Sequence, residues 1–321
     1  MLLAPAVAAA HGLEGTHGGG ASAAPPRKPL ALIAPAAAAA HIRIDERGGF
    51  RFIEADGIAD HPTGRFPNRG NPNRISAQRY AFRMPLRPAK AAQATPVGHQ
   101  LFGVALNGVP FDAATAEYWN DDRRAGWNFE ALSGAVDLGL DASNAHVQPN
   151  GAYHYHGVPI GLMERMPQRA AQPVLLGYAA DGFPIYGPLG WRDPRDARSG
   201  LVELRPSWRL KAGTRPSGPG IGPGGRHDGT YVQDYEHVPG SGDLDACNGR
   251  DSVTPEHPQG TYHYVATAAF PFLPRCWTGT PDSSFFLKGP GGHRGPGGPG
   301  GRPPPPGGRG GPPPFGPPPR Q

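Results

Sequence analysis

The chain reads as an all-β or β-rich domain with only a minor helical part. It is expected to be one domain of many short strands, sandwich-like, joined by long Gly/Pro loops. Three observations predict this. Apolar and polar residues alternate over short runs, as on half-buried strands. Turn residues (Gly, Pro, Asn, Asp) separate those runs at short intervals. A 3.6-residue apolar period is almost nowhere sustained.

Composition narrows the class. The 321 residues could hold one large domain or two small ones, but 49 Gly and 42 Pro dilute the hydrophobic share to 37%. Much of that excess lies in residues 289–321, almost wholly Gly and Pro with four arginines and no acid. This tail has no means of burying a core and is expected to be disordered, partly polyproline II. It also carries most of the net +5, so the body is close to neutral. No stripe of Lys and Arg marks a nucleic-acid footprint, and nucleic acid is excluded as a partner.

The chain divides in order into residues 1–40, 41–288 and 289–321. Near the start, Arg27-Lys28 precede Leu30-Ala31-Leu32-Ile33-Ala34, then Pro35 and a run of alanines before His41. A charged stretch, a short apolar core and an Ala-x-Ala site are export-leader chemistry, with an Ala/Pro linker as the alternative. Export makes the expected location periplasmic or secreted. No run reaches the ~18 apolar residues of a membrane span.

From His41 the strands begin. Ile42 to Ile44 and Phe50 to Ile53 flank Gly48-Gly49, a hairpin pattern. Residues 60–73 are rich in Asn, Gly and Pro and read as loop. Gln78 to Leu86 alternates with Tyr80, Phe82, Met84 and Leu86 on one face, and short apolar strands follow at Gln100 to Leu106 and Val109 to Phe111. Residues 115–129 are expected to form the one short helix. Val174 to Tyr178, Leu201 to Leu204 and Tyr262 to Ala268 are further strands, and 213–229 a surface loop.

The stretch Gly151-Ala152-Tyr153-His154-Tyr155-His156-Gly157 organises the reading of function. On a strand, residues two apart share a face, so His154 and His156 point one way and the tyrosines the other. Their Cα atoms then lie about 6.5–7 Å apart, close enough for both rings to reach one ion. A helix would set the two rings about 200° apart around its axis. A second copy, Gly260-Thr261-Tyr262-His263-Tyr264, keeps one histidine and has Val265 at the next position. The two strings are expected to be related strands and are candidates for neighbours. The competing reading is an amphipathic sheet segment whose imidazoles only hydrogen-bond.

The two cysteines, Cys247 and Cys276, flank the second string in turn-rich surroundings. In an exported protein they are expected to form one disulfide that helps hold His263; in a cytosolic one they would be reduced core thiols.

These blocks together resemble the bacterial YHYH domain family. The resemblance rests on Gly151 to Gly157, on Leu176-Gly177-Tyr178-Ala179-Ala180-Asp181-Gly182-Phe183-Pro184-Ile185-Tyr186-Gly187, on Asp243 to Arg250, on Gly260 to Tyr264 and on Pro274-Arg275-Cys276. It covers residues 41–288 and implies an exported protein. It supplies no reaction, so the chemistry rests on the residues.

The metal reading takes His154 and His156 as a chelating pair and His263 as third ligand. Three imidazoles with an open position suit zinc or copper. His146 and Asp181 stand next, as further ligands or as groups orienting a ligand; Asp181 also suits a turn with Gly182. Cleavage after Ala40 would free the amine of His41, which could join its imidazole and another histidine on copper. Asp243 and Asp245 offer oxygen to calcium, but their spacing is not that of an EF-hand, and a solvated turn is favoured. Nucleophile-elbow, phosphate-loop and dinucleotide patterns are absent. Two other classes stay open: a metal-free envelope module holding a saccharide or protein on Trp119, Trp127, Phe183 and Tyr186, and a structural component tethered by its tail.

Overall fold

The computed structural model describes residues 40–287. The tail and all but the last residue of the proposed leader lie outside the described residues.

Strands β1 (Ile42–Arg47) and β2 (Phe50–Ala55) form the expected hairpin. Its turn residues Gly48 and Gly49 have φ of 59° and 82°, a left-handed region that glycine enters without a Cβ clash. Strand β3 (Tyr80–Pro85) extends this sheet and turns Phe82 and Met84 into the core. Next come β4 (Lys90–Pro96), β5 (Leu101–Ala105), β6 (Pro110–Asp112), β7 (Ala145–Val147) and β8 (Tyr153–Tyr155). A single-turn helix α1 (Ile160–Glu164) separates them from β9 (Leu175–Ala179) and β10 (Pro184–Tyr186). Three two-stranded ribbons follow: β11 (Leu189–Trp191) with β12 (Leu201–Glu203), β13 (Trp208–Leu210) with β16 (Tyr235–His237), and β14 (Ser217–Gly218) with β15 (Gly222–Pro223). The last strands are β17 (Gly249–Ser252), β18 (Thr261–Val265) and β19 (Cys276–Gly279), the last paired with β4.

Residues 115–129 do not form the expected helix. Two 3-10 turns, Trp119–Asp121 and Arg123–Ala125, take its place. Asn120 and Asp121 sit at φ of 54° and 55°, which no right-handed helix tolerates. The Trp119 amide donates to the Trp127 carbonyl at 2.9 Å, so the segment folds back on itself.

The site is positioned by an eight-stranded sheet in the order β17-β18-β10-β9-β5-β6-β8-β7. From its middle outward the pattern is the same in both directions. Antiparallel β5 and β9 form the centre; each is followed by an antiparallel neighbour, then a parallel one, then an antiparallel edge. The packing at the centre explains the pairing. Val104 pairs with Tyr178, and the flanking glycines swap roles: a Cβ on Gly103 would lie 2.5 Å from the Tyr178 carbonyl, one on Gly177 2.1 Å from that of Val104. Only residues without a Cβ let the two backbones approach this closely. Short strands buried on both faces read as near-continuous apolar runs rather than clean alternation. The core built on them includes Phe102, Val104, Phe111, Leu176, Ile185 and Trp277, all essentially solvent-free.

The cysteines form the expected disulfide, Cys247–Cys276, joining the loop before β17 to β19.

Candidate metal centre

Strands β7 and β8 are antiparallel neighbours, with His146 directly opposite His154. The connection carries Asn150-Gly151, a hairpin signature, and Gly151 has φ of 87°. Residues facing each other across such a pair share a face. His146, His154 and His156 therefore fall on one side of the sheet and Tyr153 and Tyr155 on the other.

The tyrosine side is a satisfied polar frame. The Tyr153 hydroxyl donates to Asp141 Oδ2 at 2.7 Å. His61 Nδ1–H donates to the Pro62 carbonyl at 2.7 Å, so its Nε2 accepts the Tyr155 proton at 2.6 Å, while Asn107 donates to the same hydroxyl at 2.9 Å.

The histidine side is different. His154 Nε2 lies 2.9 Å from His156 Nε2, which lies 3.1 Å from His146 Nε2. The protons can be assigned, because carbonyl oxygens only accept. His154 Nδ1 faces the Ala152 carbonyl at 3.1 Å and His146 Nδ1 faces that of Leu138 at 2.9 Å. Asn71 Nδ2 also approaches His146 Nδ1, but at 3.3 Å, and the nearer carbonyl sets the proton. Both Nδ1 atoms therefore carry the hydrogen, and both Nε2 atoms present bare lone pairs to His156. A neutral His156 has at most one proton to offer on Nε2. At least one of the two lone pairs then faces His156 Nε2 at hydrogen-bond distance with no proton between them, an unfavourable arrangement that a shared cation relieves. Backbone carbonyls fixing the tautomer of ligating histidines are the usual outer support of a metal site. A tetrahedral ion with bonds of ~2.0–2.1 Å holds its nitrogens about 3.3 Å apart, close to the spacing seen.

Burial sets the protonation state. His154 and His156 are 2% and 3% exposed, His146 partly buried. Burial, with the neighbouring imidazole charge next, lowers the His146 pKa to about 4; burial alone brings His154 to about 4. Burial followed by the His154 and His146 charges holds His156 well below its ordinary range. All three rings are thus unprotonated at neutral pH, the form that binds metal. Among the described residues this is the grouping of His, Cys, Asp or Glu side chains able to hold an ion.

The histidine cluster differs from the expected trio at a single position. His154 and His156 converge as anticipated, but the third imidazole is His146 from the adjacent strand. His263 lies on β18, separated from β8 by β10, β9, β5 and β6. Its ring packs on Tyr186 with centroids 5.0 Å apart. The two Tyr-His-Tyr strands are therefore symmetric in the sheet, not adjacent. Asp181 orients no histidine: it accepts from the Tyr264 hydroxyl at 2.6 Å and the Gly279 amide at 2.9 Å, and shapes the turn through the Phe183 amide. The His41 backbone amide donates to Asp56 at the start of β1, outside the histidine group. Asp243 pairs with Arg205, and Asp245 accepts from the Cys247 and Gly249 amides and the Tyr262 hydroxyl.

Three supporting groups were not anticipated. The Leu138 carbonyl orients His146. Buried Asn71 donates to the Val147 carbonyl at 2.9 Å, fixing β7. Buried Asp112 adjoins His156 through the parallel β6–β8 pairing, its carboxyl raised by burial to about 6. The Asn150-Gly151 turn was the available signal for His146, since a hairpin there sets it opposite His154.

Behind residues 136–140 lies a cavity of about 770 Å³, lined by Leu132, Val136, Leu138, Val158, Ile160 and Phe272 among others. Of the four aromatics considered for a sugar, Trp127, Phe183 and Tyr186 are buried in the fold and offer it no open face.

Compared with known proteins, residues 81–279 match the family of YHYH proteins, more than half of the chain. The chain belongs to the YHYH family. No curated protein and no solved structure matches it. Both Tyr-His-Tyr strands of this YHYH protein fall inside the matched region, as do all three converging histidines. No helix among the described residues is long and apolar enough to cross a membrane.

Proposed function

We propose that this YHYH protein binds one copper or zinc ion outside the cytoplasm, through the Nε2 atoms of His146, His154 and His156. The observation that carries the reading is the convergence of three imidazole nitrogens, two with their lone pairs assigned by carbonyl partners. Imidazole suits both metals. Three protein ligands leave a further position for water or a substrate, which would allow Lewis-acid or water-activating chemistry. An intact disulfide fits an oxidising compartment.

The test is elemental analysis of full-length protein purified from the periplasm of cells grown with copper and zinc. One equivalent of either metal is expected. The pair His154→Ala and His156→Ala should carry none, and His263→Ala should keep it. Wild-type protein without metal under replete conditions overturns the reading.

A second reading rests on the cavity. Its volume falls in the ~300–1,000 Å³ range of small-molecule sites, and its lining suits an apolar ligand better than a saccharide. Ligand binding that survives loss of the three histidines would favour a metal-free binding module.

A further inference from the structure

We infer that the eight-stranded sheet contains two copies of one folding unit, and that in the second copy the Arg250 side chain holds the place the metal takes in the first. The inference rests on the metal reading above and accounts for the second Tyr-His-Tyr strand, which that reading leaves without a role.

The copies can be followed residue by residue. Leu101-Phe102-Gly103-Val104-Ala105-Leu106-Asn107-Gly108-Val109-Pro110-Phe111 runs through β5 and β6, and Leu175-Leu176-Gly177-Tyr178-Ala179-Ala180-Asp181-Gly182-Phe183-Pro184-Ile185 through β9 and β10. Gly108 and Gly182 turn with φ of 81° and 90°. The Ala105 amide donates to Val109 and the Ala179 amide to Phe183, both at 2.9 Å. Leu106 reaches across to Leu176, and Ala180 to Phe102.

The outer strands repeat as closely. Asp141 Oδ1 accepts from the amides of Ser143 and Ala145; Asp245 Oδ1 accepts from those of Cys247 and Gly249. Asn144 and Asn248 both take left-handed conformations, at φ of 55° and 56°. Tyr153 donates to Asp141 as Tyr262 does to Asp245. Tyr155 bonds Asn107 as Tyr264 bonds Asp181, the residues aligned above.

This fixes the equivalents of the three histidines. His146 faces His154 across β7–β8, and Arg250 faces His263 across β17–β18. The His156 amide donates to the Asn144 carbonyl at 2.8 Å, and the Val265 amide to that of Asn248 at 2.9 Å. The triad His146, His154, His156 therefore corresponds to Arg250, His263, Val265.

The second position needs no ion. Arg250 is anchored by Nη2 on the Trp191 carbonyl at 2.7 Å. A guanidinium stays charged at all physiological pH, so it supplies a fixed cation beside the one remaining imidazole. Its charge, after burial, is the largest influence holding His263 near pKa 3. Val265 closes the third ligand position with hydrocarbon, packed on Leu204 and Leu244. The chain accordingly holds one metal, not two.

The experiment restores the missing imidazoles. Full-length wild type and the Arg250→His plus Val265→His variant are loaded with excess Zn²⁺, dialysed and analysed for metal per chain, with folding checked by circular dichroism. Wild type should carry one equivalent and the variant two. Because an imidazole at position 265 would enter an apolar cluster, Arg250→His alone is measured in parallel. It leaves a cross-strand imidazole pair and should bind a second, weaker equivalent in titration calorimetry, lost again when His263→Ala is added. Wild type at one equivalent with every folded variant also at one overturns this inference alone. Wild type with none overturns the first-site reading and this inference with it.

Discussion

At the β7–β8 end of the large sheet three imidazole nitrogens face one another; at the β17–β18 end a lone histidine stands opposite an arginine across the strand pair. The backbone turns, the Asp anchors and the tyrosine hydroxyl bonds are shared between the two ends. The tyrosines of both strings are thus frame, and their preservation says nothing about metal. What separates the ends is the residue across the strand pair, His146 against Arg250, and the residue after the second tyrosine, His156 against Val265. A Tyr-His-Tyr string alone does not gather imidazoles; its antiparallel neighbour decides.

The disulfide is the largest asymmetry in the frame. Cys247 occupies the position that buried Ser143 holds in the first copy, so only the second copy is fastened to β19. Cross-linking residues 29 apart stabilises by about 3–4 kcal/mol on the chain-entropy account. Cys247→Ser with Cys276→Ser should lower the unfolding free energy by that order in urea titrations. It should leave metal stoichiometry at its wild-type value, because the triad sits at the opposite end of the sheet. A loss of metal from folded double-serine protein would show that the two ends are coupled.

Metal-linked stability separates the ends next. Saturating ligand at ~100 times its dissociation constant adds about 2.7 kcal/mol to the folded state. Thermal unfolding with and without Zn²⁺ should show that gain in wild type and in His263→Ala, and none in His156→Ala. An equal gain in all three would place the ion elsewhere.

The shared frame makes a finer prediction, because the two anchoring carboxylates differ in exposure. Asp141 is fully buried, whereas Asp245 is exposed. Tyr153→Phe removes a hydrogen bond from a buried acceptor and should cost ~1.5–3 kcal/mol, whereas at Asp245 water can replace the lost hydroxyl and Tyr262→Phe should cost about 1 kcal/mol or less. Equal losses in denaturant titrations would mean that the hydroxyls contribute mainly by packing.

Much of this architecture was legible in the sequence. Gly48-Gly49 between alternating strands specified the first hairpin, the period-two run from Gln78 to Leu86 contains β3, and the spacing of His154 and His156 placed two rings on one face. The third imidazole of the cluster, His146, stood only among the next candidates, because the same means did not place it. Similar strings suggest neighbouring strands, but a duplicated unit closing on its own central pair sends its like strands to opposite edges. That central pairing is set by Gly103 and Gly177, through tertiary contact no local pattern reports. Residues 115–129 failed for a related reason: long-range backbone bonds, such as Phe129 bridging Tyr231, outweigh the weak helical preference of the segment.

The last contrast between the two ends concerns acid. His263 is buried, and burial with the Arg250 charge lowers its pKa to about 3, against ~6.5 for a solvated histidine. As pH falls below the unfolded value, the unfolded chain takes up this proton and the native protein does not. Stability at this residue is therefore full above about pH 6.5 and declines toward pH 3, with a slope of at most ~1.4 kcal/mol per pH unit. In metal-free protein, His263→Leu should flatten the decline by up to one proton over that interval, measured as unfolding free energy at successive pH values. Arg250→Met, which removes the charge but keeps the bulk, should raise the His263 pKa in an NMR titration. The decline would then end at a higher pH, with its onset near pH 6.5 unmoved. An unchanged His263 titration in that variant would show that burial alone holds the ring neutral, and that Arg250 does not act there as the resident cation.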